Sequence, residues 1–229
     1  MRPKASRDDI LTLLMSARDE AGEALTDVEL RDELMTLLVA GHETTATALT
    51  WALYWIHKFP KVYERVLAEL QGVAPSDSSA LSRLPYLNAV CCETLRIYPV
   101  GMITFPRVTT STVEVMGYSL EPGTVVVGSI YLTHHREEIY PDPDHFKPER
   151  FLERRFSAFE YFPFGGGARR CIGMAFAQFE MKLVISRIVS NFELALADKR
   201  SVRPMRRGLT AGPSPVRMVV RALPRALEA

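Results

Sequence analysis

An apolar pattern that holds a helical period from Thr26 to His57 constrains this chain more than any other stretch. Val28, Leu30, Leu34, Leu37, Leu38, Thr45, Leu49, Ala52 and Ile56 keep to one helical stripe. Thr26, with Glu29 three residues on, opens the run as a capping box. An average helix has about eleven or twelve residues, so a helix this long is expected to cross the whole core of a domain. In its middle, Ala40-Gly41-His42-Glu43-Thr44-Thr45 sets a glycine beside a carboxylate and two hydroxyls. Glycine inside a helix costs roughly 1 kcal/mol against alanine. Either the helix tolerates a kink and turns Glu43 to solvent, or the turn is functional. In the functional reading Gly41 leaves room for a flat ligand, Thr44 Oγ bonds a carbonyl one turn back or a bound species, and Glu43 relays protons.

The second constraint is Phe164-Gly165-Gly166-Gly167-Ala168-Arg169-Arg170-Cys171-Ile172-Gly173. A cysteine stands there between a glycine-rich loop and an apolar run, Ile172 to Phe192, of near-helical spacing. At a helix N-terminus the unpaired N–H groups and the dipole favour thiolate, and Arg169 and Arg170 add positive charge. Such a cysteine is a nucleophile or a ligand to a soft metal centre. A phosphate-binding loop is disfavoured, because no Gly-Lys-Ser/Thr follows and no clear strand precedes. A buried structural cysteine is the plain alternative, and the glycines, the arginines and Phe164 argue against it. The remaining reading is an axial thiolate to haem iron.

The pattern Phe-x-x-Gly-x-Arg-x-Cys-x-Gly is matched at every fixed position from Phe164 to Gly173. It resembles the cysteine loop of the cytochrome P450 family of haem-thiolate monooxygenases. The Ala40–Thr45 turn resembles that family's oxygen-activation motif, with Glu43 and Thr44 as the acid–alcohol pair that delivers protons and His42 at the variable position. Glu93 and Arg96 resemble its Glu-x-x-Arg signature, and Pro148-Glu149-Arg150-Phe151 its Pro-Glu-Arg-Phe motif. The resemblance implies a buried Glu93–Arg96–Arg150 network with a structural role, positioning the cysteine loop. It implies haem b as cofactor, with Cys171 as axial iron ligand and Ala40, Gly41, Phe164, Gly165, Arg169, Ile172 and Gly173 around it. Arg107, by its spacing to Gly117, resembles the propionate-binding arginine. Val100, Met102, Ile103 and Phe105, with Leu209 and Thr210 from a later turn, are weaker candidates for substrate contact. The apolar Met102, Ile103 and Phe105 favour a lipid-like or aromatic substrate. The implied fold is mainly α with small β-sheets, the C-terminal portion of the family's single domain over residues 1–229, its N-terminal half absent. The implied activity inserts one oxygen atom of dioxygen into an apolar substrate, with electrons from a redox partner. Two rivals are a truncated, non-catalytic haem-binding protein and a haem-thiolate isomerase or peroxygenase.

The remaining elements follow from punctuation. Asp8 to Ala17 reads as a short helix, Pro60 opens a helix to about Leu70, Ala74 to Ser82 reads as a loop, and Tyr86 to Tyr98 is helical up to Pro99. Val113 to Met116 and Thr124 to Ser129 are expected to form one small sheet, and Gly208 to Val220 a hairpin turning near Gly212-Pro213. His134 and His135 precede the Tyr140-Pro141-Asp142-Pro143 meander and are expected to be structural.

Composition narrows the class. Among 229 residues, 47% are hydrophobic and the net charge is +1, an ordinary globular balance. Three cysteines without paired spacing speak against a disulfide framework or a structural zinc site and suit a reducing cytosol. No apolar run is long enough to span a bilayer and no signal peptide is legible. The expected location is cytoplasmic, as in soluble bacterial-type relatives, whether or not an anchor precedes this stretch. Charge is uneven: from Lys199 to Arg225 there are eight Lys or Arg and no acid. With Arg154, Arg155, Arg169 and Arg170 this is either a solvated face or a docking surface for an acidic electron donor, a ferredoxin or flavoprotein reductase near Cys171. Nucleic acid is disfavoured, since no aromatic interleaving accompanies the charge.

Overall fold

The computed structural model describes residues 9–198, 200–208 and 210–222; Lys199, Leu209 and Arg225 lie outside them. The chain divides into two compact units, Met1–Glu43 and Thr44–Ala229. The first begins with helix α1 (Ile10–Ser16), whose N-cap Asp9 carboxylate accepts from Thr12 N–H at 2.8 Å. Helix α2 (Asp27–Lys58) starts in this unit, and the expected capping box closes it. Thr26 N–H donates to Glu29 Oε2 at 2.8 Å and Glu29 N–H to Thr26 Oγ1 at 3.3 Å. The helix runs unbroken through Gly41.

The expectation that α2 crosses a core along its whole length holds only in part. Its buried residues all lie between Thr45 and Ile56. In the N-terminal half Val28, Met35, Leu38 and Val39 are all more than half exposed (57%, 56%, 64% and 67%). Met35 and Leu38 belong to an apolar groove shared with Leu11, Met15, Leu30 and Leu34 of the same unit.

The second unit is built on the C-terminal half of α2 and on helix α5 (Pro85–Ile97), which is buried at every position from Ala89 to Ile97. Helix α3 (Pro60–Gln71), helix α4 (Ser78–Ser82) and helix α8 (Met174–Asn191) complete this core. Its centre is aromatic: Trp51 lies 4.4 Å from Tyr98, and Trp55 stacks on Phe146 at 5.0 Å. The 74–82 stretch, expected as a loop, stays irregular to Asp77 and then closes as α4, because the Asp77 carboxylate accepts from Ala80 N–H at 2.8 Å. Pro85 opens α5 at its first turn without a side-chain cap of its own. Glu69 of α3 fills that role from a distance, accepting from Tyr86 N–H and Leu87 N–H, each at 2.8 Å.

The β-structure among the described residues is four two-stranded antiparallel sheets. Strand β1 (Arg107–Val108) pairs with β4 (Val125–Val126), and β2 (Val113–Val115) with β3 (Tyr118–Leu120). The single sheet expected here is therefore two ladders. The 113–115 strand turns back at once, because Met116 and Gly117 both take positive φ (51° and 83°). Helices α6 (Ile130–His134) and α7 (Arg150–Glu153) flank an irregular meander. Strand β5 (Glu193–Leu196) pairs with β8 (Met218–Ala222), and β6 (Pro204–Arg207) with β7 (Thr210–Pro213). The hairpin thus turns at Gly208 and not at Gly212-Pro213. Gly208 has φ +61°, whereas Gly212 pairs with Met205 inside the ladder and Pro213 sits at its end opposite Pro204.

Leu87 is fully buried in the core and Leu132 is 67% exposed. Leu87→Ala is expected to cost about 2–5 kcal/mol and Leu132→Ala well under 1 kcal/mol, read as the shift in urea midpoint. Equal shifts would contradict this core.

Candidate functional site

The site grows from one buried carboxylate. Glu93 and Arg96, three apart on α5, are both fully buried. Arg96 Nε donates to Glu93 Oε2 at 2.7 Å and Nη2 to Oε1 at 2.9 Å, a bidentate pair. Arg150, from α7, donates Nε to the same Glu93 Oε1 at 3.1 Å. The remaining guanidinium hydrogens go to backbone carbonyls. Arg96 reaches His134 O at 2.8 Å and Pro143 O at 2.7 Å; Arg150 reaches Pro141 O at 2.6 Å and Asp142 O at 2.9 Å. Lys147 N–H adds a donor to Glu93 at 2.9 Å. A buried ionic cluster is tolerated when every member is satisfied in this way.

The meander that this network holds leads to the cysteine loop. Tyr140 OH donates to Glu160 O at 2.9 Å, Tyr161 OH to Cys92 O at 3.1 Å, and Phe162 N–H to the His134 ring at 3.1 Å. The loop then closes on its own backbone: Gly165 N–H donates to Phe162 O and Cys171 N–H to Phe164 O, each at 2.9 Å. Gly165 and Gly167 have positive φ (71° and 65°), and a Cβ on Gly165, Gly166 or Gly167 would meet only open space. A one-turn 3₁₀ segment, Gly167–Arg169, precedes Cys171, and α8 begins three residues after it.

Cys171 is a free, exposed thiol, whereas Cys91 and Cys92 are buried, where desolvation raises the pKa of both. Beside it stand exposed apolar side chains that a globular surface normally hides: Ile172 at 92%, Phe176 at 64% and Phe179 at 38%. Among the described residues no group of three His, Cys, Asp or Glu is arranged to hold a bare metal ion. A single exposed thiol in an open glycine frame, edged by uncovered apolar side chains, suits a flat apolar metallo-cofactor better than an ion cage.

The family pattern described as Cytochrome P450 matches residues 1–220. The chain belongs to the cytochrome P450 family. It is 42% identical over 200 residues to the putative cytochrome P450 135B1 of Mycobacterium bovis, covering 87% of this chain and 42% of that protein. To the putative cytochrome P450 137 of Mycobacterium tuberculosis it is 39% identical over 207 residues, covering 90% and 41%. Among solved structures, a crystal structure of the cytochrome P450 CYP102L1 superposes with TM-score 0.84 at 28% identity, over 96% of this chain and 52% of that one. The retinoic acid-bound cyanobacterial CYP120A1 gives TM-score 0.85 at 32% identity, over 95% and 52%. The chain therefore has the P450 fold and spans under half the length of the curated relatives it matches.

The other candidate residues distribute as follows. Ala40, Gly41 and Glu43 lie on α2 in the first unit, and Thr44 opens the second. Gly41 and Glu43 are exposed, and a Cβ on Gly41 would meet nothing within 4 Å. Arg107 is exposed on β1, paired with Val126. Val100 O accepts from Ala211 N–H at 2.8 Å, which brings Val100 beside Thr210 and the β6–β7 hairpin. Ile103 bridges Ser129, and Ile103 and Phe105 are 50% and 69% exposed. On the basic side Arg154 is tied to Glu160 Oε1 at 2.7 Å, so the uncommitted charge there is that of Arg155, Arg169 and Arg170, all exposed.

Sequence reasoning missed Glu69 and gave His134 no specific partner. His134 is fully buried, and burial, with the Arg96 charge adding to it, pushes its pKa down to about 3. No spacing along the chain offered a signal for either, because both bond to backbone far away in sequence.

Glu93→Ala would leave two guanidiniums buried without a carboxylate, and a loss of about 3–5 kcal/mol is expected from urea unfolding. A loss near that of a surface ion pair would contradict the network. The folded His134 ring stays neutral down to about pH 3, while the unfolded one protonates near 6.5. The unfolded state then binds more protons in that window, so stability falls as pH drops through it. Burial lowers His57 and His135 in the same direction. The urea midpoint is expected to decline from about pH 6.5 to about pH 4, and less steeply in His134→Gln.

Proposed function

We propose that the chain carries the thiolate side of a haem-thiolate monooxygenase acting on an apolar organic substrate, as the C-terminal part of a single P450 domain. The observation that supports this most is the exposed Cys171, fixed by its own backbone in an open glycine loop before α8 and bordered by uncovered Ile172 and Phe176. Haem b is the group that fits. When bound it would activate dioxygen, with electrons from a redox partner, for insertion of one oxygen atom into the substrate.

The chain's own residues have distinct tasks. Cys171 would supply the sulfur ligand to the haem iron. Phe164, Gly165, Arg169, Ile172 and Gly173 frame the cofactor on that side, and Arg107 offers a cation for a propionate. Glu43 and Thr44, neighbours on α2, hold and pass protons, while Ala40 and Gly41 keep backbone free of bulk. Val100, Met102, Ile103, Phe105 and Thr210 supply an apolar substrate wall, which suits a lipid-like or aromatic compound. The CYP120A1 neighbour, with retinoic acid bound, holds a molecule of that kind. Arg155, Arg169 and Arg170 offer a basic face to an acidic ferredoxin or flavoprotein.

The test is the reduced, carbon-monoxide-bound absorption spectrum of the chain after haem addition. A Soret band at the far-red position of thiolate ligation is expected, and Cys171→Ser should abolish it. A band at the position of histidine ligation would overturn the assignment of Cys171. If the basic face is the docking surface, the reduction rate by an acidic donor protein should fall at least several-fold as ionic strength rises from about 0.05 M to about 0.5 M. A flat rate would remove that role.

A further inference from the structure

The segment Glu160-Tyr161-Phe162 reaches the cysteine loop under three tethers from three different elements. Two are tyrosine hydroxyls, Tyr140 to Glu160 O and Tyr161 to Cys92 O. The third is the only one in which a side chain accepts from the segment's backbone: Phe162 N–H donates to His134 Nε2 at 3.1 Å. His134 is itself immobilised. Its carbonyl accepts from Arg96 Nη1 at 2.8 Å, its ring stacks on Tyr161 at 5.4 Å, and Tyr140 and Phe162 meet it edge-on.

Since Nε2 accepts, the neutral ring must carry its proton on Nδ1. His134 Nδ1 is buried and has no hydrogen-bond partner among the described residues. An orphaned buried donor is unfavourable, and a phenylalanine in the same stack would avoid it. The imidazole therefore does something there that ring packing alone does not require: it satisfies the Phe162 N–H. Downstream of that bond Phe162 O takes Gly165 N–H, and Phe164 O takes Cys171 N–H. The link runs from the Glu93–Arg96 pair through one imidazole into the backbone that carries the thiol.

We propose that His134 is a positioning residue for Cys171, its Nε2 accepting the Phe162 N–H and so fixing the entry of the thiolate loop relative to the Glu93–Arg96–Arg150 network. The proposal rests on Cys171 being the haem ligand. A protonated ring would present a donor to a donor, so the tether exists only in the neutral Nδ1–H tautomer.

The experiment compares the wild-type chain with His134→Phe, which keeps the ring stack but removes the acceptor, and His134→Gln, which restores an acceptor near the Nε2 position. Amide hydrogen exchange of the haem-free protein is read at Phe162 and Gly165 against Thr94 of α5 as internal reference. The reduced, carbon-monoxide-bound spectrum of the haem-loaded protein is read for its thiolate fraction. In His134→Phe the Phe162 and Gly165 amides should exchange at least tenfold faster while Thr94 stays within twofold, and the thiolate fraction should fall at least twofold. His134→Gln should recover both. Unchanged exchange at Phe162 and Gly165 in His134→Phe, or a change shared equally by Thr94, would overturn the proposal. Should His134→Phe fail to fold, the imidazole ¹⁵N shifts of the wild type decide: the neutral Nδ1–H tautomer supports the tether and the Nε2–H tautomer overturns it. A wild type without a thiolate band, but with the expected exchange pattern, would overturn the ligand assignment of Cys171 and with it the functional half of the proposal, leaving the His134 bond as a fold contact.

Discussion

A carboxylate shared between two buried guanidiniums is the constraint on which the functional part of this molecule depends. Removing Glu93, Arg96 and Arg150 from water is costly, and their mutual attraction alone would not offset it. The balance is restored because the guanidiniums also serve the carbonyls of residues 134, 141, 142 and 143. Apart from His134, the last residue of α6, that backbone belongs to a meander without regular structure, which cannot satisfy its own polar groups when buried. Each side solves the other's problem. The meander gives the arginines acceptors, and the arginines give the meander the donors that a helix or sheet would have supplied. Asp142 shows the strain this arrangement accepts, a non-glycine residue held at φ +54°.

From that frame, order passes outward to a loop that is poorly packed by comparison. The residues before it are tied by Tyr140, Tyr161 and His134, whereas beyond Phe164, which packs against the core, the loop is held by backbone bonds, with open space where a Cβ would stand on Gly165, Gly166 and Gly167. A firm base and an open rim would suit a cysteine that meets a large planar group without side chains in the way. The same reasoning accounts for the apolar rim. Ile172 and Phe176 add nothing to the core while exposed, and become favourable once covered.

Much of this was legible in order along the sequence, because the signals are local. The Thr26–Glu29 capping box, Pro60 at a helix start, and the glycine-framed cysteine before α8 each act within one turn of the chain. Where signals compete locally, the reading slipped. Gly208 and Gly212-Pro213 both announce a turn, and only the paired register of Met205 with Gly212 shows which one turns. The 118–120 strand was lost for a similar reason, its hairpin resting on a positive φ at Met116, a residue type that rarely signals one. Long-range bonds left no trace in periodicity or spacing; the Glu93–Arg150 bond was expected only from the resemblance of its two motifs. Glu93 and Arg96 stand on one helix face from spacing alone, yet that spacing is equally that of a weak surface pair. Glu69 caps α5 and His134 holds Phe162 across distances that no pattern along the chain encodes.

The uncovered apolar side chains have a thermodynamic corollary. Covering a side chain of the size of Ile172 or Phe176 is worth roughly 1.5–3 kcal/mol, and both are mostly exposed in the polypeptide alone, at 92% and 64%. A flat apolar group seated beside Cys171 would bind the folded chain and not the unfolded one, so its binding energy adds to folding stability by mass action. The buried network does not share in that gain, since Glu93 and Arg96 are already fully buried without it. The two parts therefore divide the work. The ionic frame holds the loop's base in advance, so little ordering would remain to be done there on binding a flat apolar group, and the exposed rim would supply apolar surface to hold it.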